Sequence, residues 1–153
     1  MMVEKRVNTF TKGGEKAIIE RKVRESRREL ERRDNGGRSG VERREGRLNH
    51  VKPVMETKSM KRSGIAQQMP TPVNDQRGLY RACNWIREAS RKRAKKIGVP
   101  LMDARRMELV SLYEECMSRE SGVERNAYTT YPMQMRDRTH RAAKSNRVFA
   151  VIR

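Results

Sequence analysis

The residues of this chain that could do chemistry are few, and cations dominate them. His50 and His140 are its two imidazoles and Cys83 and Cys116 its two thiols, with no second cysteine or histidine at a metal-ligand spacing from either thiol. A zinc knuckle or ribbon needs closely spaced ligand pairs, so that class is excluded. Two distant cysteines with no sign of an oxidising compartment read as buried thiols. No glycine-rich loop stands between a strand and a helix, and Gly13-Gly14 and Gly36-Gly37 read as turns rather than phosphate cradles. Glu114 and Glu115 are helix neighbours pointing in different directions, and Asp137 stands among arginines, so spacing yields no general acid–base pair. The sharpest feature is Arg91-Lys92-Arg93-Ala94-Lys95-Lys96, five cations in six residues, with Arg87 and Arg81 in earlier turns of the same helix. Cations grouped on one helix neutralise neighbouring phosphates and release their counterions. Arg81, Arg87, Arg91, Lys92, Arg93, Lys95 and Lys96 are therefore the candidate nucleic-acid-binding residues, against the plainer reading of a solvated helix end. Aromatics for base stacking are scarce, and Trp85 reads as a core anchor before a stacking platform.

The rest of the sequence must position these side chains. Of its 153 residues 35% are hydrophobic, 37% charged and 5% aromatic, and 37 Lys and Arg against 19 Asp and Glu leave a formal charge of +18. So few apolar residues can build a packed core from only part of the chain. The basic excess is shared, with 17 cations against 10 acids in residues 1–60 and 20 against 9 in residues 61–153. Such a chain attracts polyanions at any physiological pH. No apolar run is long enough to span a membrane, and no hydrophobic segment follows Lys5 and Arg6, so the expected setting is intracellular or virion-internal.

Residues 14–34 are helical in composition, with a thin apolar stripe of Ile19, Val23 and Leu30 that predicts a solvated or nascent helix stopped by Asn35-Gly36-Gly37. Residues 38–72, rich in Gly, Ser, Pro and charge and lacking any period, read as linker or disordered arm, His50 included as a solvated residue. Asn74 or Asp75 can cap a helix whose stripe Leu79, Ala82, Cys83, Ile86 and Ala89 runs towards Lys96 and ends at Gly98 and Pro100. A second helix starts at Asp103 as N-cap, carries Met107, Val110, Leu112, Tyr113 and Cys116, and stops at Gly122. Residues 127–132 and 148–152 are β-prone and pair in this reading as a small ribbon. The expected fold is mainly α, a two-helix C-terminal module (73–153) with a short β-ribbon behind a largely disordered basic N-terminal arm (1–72).

Taken as a string, Arg93-Ala94-Lys95-Lys96-Ile97, Pro100, Met107 to Ser118, Gly122-Val123-Glu124 and Tyr131-Pro132-Met133-Gln134 resembles the phage-type HNH endonucleases. In that family a basic helix and a tyrosine-bearing helix lead into a short strand carrying Asp and His. The frame runs without a gap from Gly122 to Gln134 and covers about a third of the chain. Tyr128 and Thr129 stand where the family places its metal-ligating Asp and general-base His, and Asn126 stands at the preceding His. Tyrosine and threonine neither hold a cation nor deprotonate water well. The resemblance thus implies a relative that binds nucleic acid without cutting it, with His140 and Asn146 as its echo of the later His and Asn.

The leading reading is a basic protein contacting the phosphate backbone of DNA or RNA. Two alternatives stand beside it. One is an active metal-dependent HNH-like endonuclease using His140 and Asn146, the only reading that calls for a cofactor, a divalent metal. The other is a structural or assembly protein of a virion or ribonucleoprotein particle, whose arm threads into nucleic acid and whose module packs on other proteins. Neither a membrane nor a small-molecule substrate is expected as a partner.

Overall fold

A computed structural model describes residues 11, 14–33, 48–62, 64–120 and 129–150. Its elements in chain order are helix α1 (Lys16–Arg33), strands β1 (Met55–Arg62) and β2 (Ile65–Pro72), helices α2 (Asp75–Ile97), α3 (Leu101–Glu120) and α4 (Tyr131–Ser145), and a 3-10 turn (Arg147–Ala150). The protein is mainly helical with one small antiparallel sheet.

Helix α2 is the spine. Asn74 caps it, its side chain accepting from the Gln76 amide, and Gly98 ends it in the left-handed conformation at φ 73°, donating its N–H to the Ala94 carbonyl. Glycine carries no Cβ penalty there. The inner face of α2 is made narrow by Ala82, Ala89 and Ser90, which lets α3 close against it, while Trp85 and Ile86 fill the space between helices. The Ser90 hydroxyl donates to the Ile86 carbonyl and so is satisfied in the dry interface. Helix α3 begins at Leu101, two residues before the expected cap, and Asp103 sits in its first turn instead; the Pro100 carbonyl accepts from the Asp103 and Ala104 amides. Leu112 and Cys116 complete the core with Met133 of α4, and Cys83 and Cys116 are both buried thiols.

Four expectations change here. Helix α1 is not a solvated rod: Ile19 is buried in the core and Val23 packs against it. Residues 55–72 are not linker but an antiparallel hairpin in register Glu56↔Thr71 and Arg62↔Ile65, and Gly64 takes φ 81° in its turn. Residues 48–51 form a helical turn that buries Leu48 and Val51, and His50 is half-buried rather than solvated. The ribbon expected from residues 127–132 and 148–152 is absent among the described residues, where 131–145 are helix and 147–150 a 3-10 turn; residues 127–128 and 151–152 lie outside them. Pro132 in the first turn favours that helix, and it outweighs the β-prone composition before it. Asn35-Gly36-Gly37 and Gly122 lie outside the described residues.

The hairpin is pinned at its base by charge. Glu56 has only 4% of its side chain exposed, and its two carboxylate oxygens accept from Arg77 Nε at 2.7 Å and Arg81 Nη2 at 3.0 Å. Lys52 Nζ donates to Asp75 Oδ1 at 2.7 Å beside it. Gly78 makes room for this crossing, since a Cβ there would stand 2.5 Å from Lys52 Cγ. The two arginines are half exposed and can return to water, whereas the carboxylate cannot. Removing both (Arg77→Ala with Arg81→Ala) should therefore cost about 3 kcal/mol, more than Glu56→Gln. Urea unfolding of the two variants checks this, and an equal or reversed cost would show that Glu56 is not held by the pair.

Candidate nucleic-acid interface

The expected binding residues all lie on α2, but its environment sorts them. Arg87, Arg91 and Lys95 are spaced by four residues and so share one stripe, which turns outward from Arg91 on. Arg91, Lys95 and Lys96 are exposed, and Arg87 is half-buried. Arg81 leans on Glu56 at the hairpin base. Lys92 is exposed and sits 3.8 Å from the centroid of the Tyr131 ring, whose hydroxyl donates to Glu88, so the pair ties α2 to the start of α4. Arg93 turns inward: its Nη2 lies 2.7 Å from the buried Glu108 and also donates to Ser111, bracing α2 against α3.

The structure adds cations that sequence spacing did not single out. Arg77 holds Glu56 alongside Arg81. Arg105, on α3, is buried, donates to Met102 Sδ, and has its guanidinium pKa lowered by burial and then by Arg91 and Arg87. Arg91 and Arg87 of α2 thus repel the Arg105 guanidinium of α3, with Glu15 as a weaker opposing charge. Mutual repulsion of this kind is relieved by a polyanion. Lys58 and Lys61 stand exposed near the end of the hairpin. Their signal was hidden because a strand in solvent has no apolar alternation to read.

The two residues that the nuclease reading needed are occupied by architecture. His140 Nε2 accepts from the Val54 amide at 3.0 Å, fastening α4 to the start of the hairpin, so that nitrogen carries no proton. Burial first, and Arg136 second, push the His140 pKa below its usual value, with Asp137 opposing. Asn146 closes α4, its Nδ2 donating to the Ala142 carbonyl at 2.8 Å. Arg136 beside them is fixed by Asp137 and by the His50 carbonyl. Trp85 belongs to the core and not to any stacking surface.

The model of the family described as Ribosomal protein S7p/S5e matches residues 1–147. The chain belongs to this family. Among its relatives is the small ribosomal subunit protein uS7 of Albidiferax ferrireducens, 31% identical over 151 residues, a stretch that covers 99% of this chain and 85% of the relative. The proteins of the same name from Burkholderia cenocepacia and Burkholderia pseudomallei are 30% identical over the same share of each chain. The endonuclease resemblance is thereby overturned, and the viral setting, the DNA partner and the metal-dependent nuclease fall with it. Its matched positions were those of any basic helix followed by an apolar one, and the segment that should be its short strand enters α4. Within the S7p/S5e fold, His140 and Asn146 are accounted for by the hairpin anchor and the helix cap. Among the described residues no helix is long and apolar enough to cross a membrane.

The anchor makes stability depend on pH. The unfolded chain protonates His140 near its ordinary value of about 6.5, whereas the folded chain holds it neutral to lower pH. Between the two values the unfolded state binds more protons, so stability is full above about 6.5 and is lost as pH falls through the folded value. Urea unfolding at pH 7.5 and at pH 5.5 should show this loss, and His140→Gln should flatten it. An undiminished pH dependence in that variant would remove His140 as its source.

Proposed function

We propose that this chain is a ribosomal-RNA-binding structural protein of the small ribosomal subunit, holding RNA through the phosphate backbone and joining neighbouring proteins in the particle. The observation that carries the reading is the exposed cluster of Arg91, Lys95 and Lys96 on a helix whose neighbouring carboxylates, Glu56 and Glu108, are buried against other arginines. Charge is left facing solvent where a polyanion can reach it. The name of the relatives, small ribosomal subunit protein uS7, supports the choice of RNA and of an assembly role for it.

In this mechanism Arg87, Arg91, Lys92, Lys95 and Lys96 neutralise phosphates. Arg81 and Arg93 act by fixing the helix, the first on the hairpin base and the second on α3. Lys58 and Lys61, exposed on the hairpin, extend this surface. Little sequence is read this way, since phosphate contacts position a protein without specifying bases. No cofactor takes part.

A salt titration tests the reading. The chain should bind a fragment of small-subunit ribosomal RNA with a steep log–log slope and leave the strands intact. Arg91→Ala with Lys95→Ala should lower that slope by roughly 2 while leaving the unfolding transition in place. Arg93→Ala should act mainly on the unfolding transition. Equal binding of duplex DNA, or a slope unmoved by the double variant, would overturn the proposal.

A further inference from the structure

Resting on the RNA-binding reading above, we infer that Tyr80 is a stacking platform for an unpaired nucleobase of the bound RNA. The described tyrosines divide sharply. Tyr113 is buried, and Tyr131 is engaged through its hydroxyl by Glu88 and through its ring by Lys92. Tyr80 is 61% exposed and has no hydrogen bond or ring contact from its side chain among the described residues. It stands on a helix capped at both ends, so its ring is offered from a rigid support.

Its neighbours select the ligand. Arg77 and Arg81 flank it in sequence, and both are drawn aside onto Glu56, so neither is needed to cover the ring. Gln76, four residues before it, is exposed, shares its face and brings an amide group that can meet a base edge. Arg87 and Arg91 follow on the same stripe, Arg87 roughly 10 Å further along the axis. An aromatic face set within a row of cations is the arrangement that holds single-stranded nucleic acid, the ring taking a base and the cations its backbone. A paired base cannot reach the ring, because its faces are already stacked.

The test compares two RNAs, a junction fragment of small-subunit ribosomal RNA with unpaired bases and a fully paired duplex of equal length. Tyr80→Ala should weaken binding of the junction about ten-fold with an unchanged salt slope, because no phosphate contact is lost. Tyr80→Phe should bind like the parent, and Tyr80→Leu should fall with the alanine variant, since it keeps apolar bulk but no π face. Duplex binding should be the same for all four proteins, and unfolding in urea should be unmoved because the ring is exposed. Junction binding unchanged in Tyr80→Ala, or lost equally for the duplex, would overturn the platform while leaving phosphate binding intact. A parent chain that binds neither RNA would overturn both readings.

Discussion

The contact on which the remaining architecture depends is a carboxylate taken out of water. Glu56 stands near the base of a hairpin whose far end is almost wholly in solvent, and a two-stranded ribbon is marginal by itself. Its two arginine partners lie one turn apart at the start of α2, so a single acidic side chain fixes both the position of the hairpin and its orientation along the helix. His140 repeats the fastening from the other side through the Val54 amide. Between them, α2 and α4 hold the hairpin base, and Gly78 lets Lys52 and Pro53 pass close over α2. Desolvating Glu56 is costly, but two charge-assisted hydrogen bonds offset that cost.

The same logic governs the other scarce acids. In a chain of charge +18, every carboxylate used inside leaves its arginine satisfied and the remaining cations unbalanced outside. Glu108 braces α2 to α3 through Arg93, and Glu115 receives the amide and hydroxyl of Thr130 and so secures the start of α4. What remains on the surface of α2 is largely positive. Such a molecule is compact at some electrostatic cost, and a bound polyanion would act as the counterion that removes it.

Helices α2 and α3 were legible because their apolar stripes and stop signals coincide, Asn74 and Gly98 most plainly. Their basic face was legible from charge spacing alone. The hairpin was not, since Lys58, Ser59, Met60 and Lys61 are all exposed, and a stretch of strand that buries neither face shows no period. Its one local sign was Ser63-Gly64, a dipeptide that marks turns of many kinds. Helix α4 was hidden by Tyr-Thr-Thr-Tyr ahead of Pro132, where composition pointed to a strand and the proline to a helix start. The inward turn of Arg93 was illegible for another reason: one cation in a run of five differs from its neighbours only through a partner fifteen residues away. The endonuclease resemblance failed on similar ground, because a basic helix, a turn and an apolar helix are shared by unrelated proteins, and fold elements alone do not carry an activity.

The fastening of α2 bears directly on how the chain binds. Along its length the helix is held by Asn74 at its start, by Glu56 through Arg77 and Arg81, by Tyr131 through Glu88 and Lys92, by Glu108 through Arg93, and by Gly98 at its end. A helix so braced presents its outward cations in a fixed arrangement, and on binding they would give up chiefly side-chain freedom. Association is weakened most by whatever must be ordered during it. A disordered basic segment of equal charge would have to order its backbone as well, at a further cost of about 1–2 kcal/mol for each residue fixed. On the proposed reading the inward residues therefore shape affinity as surely as the outward ones, by holding Arg91 and Lys95 in place before a ligand arrives.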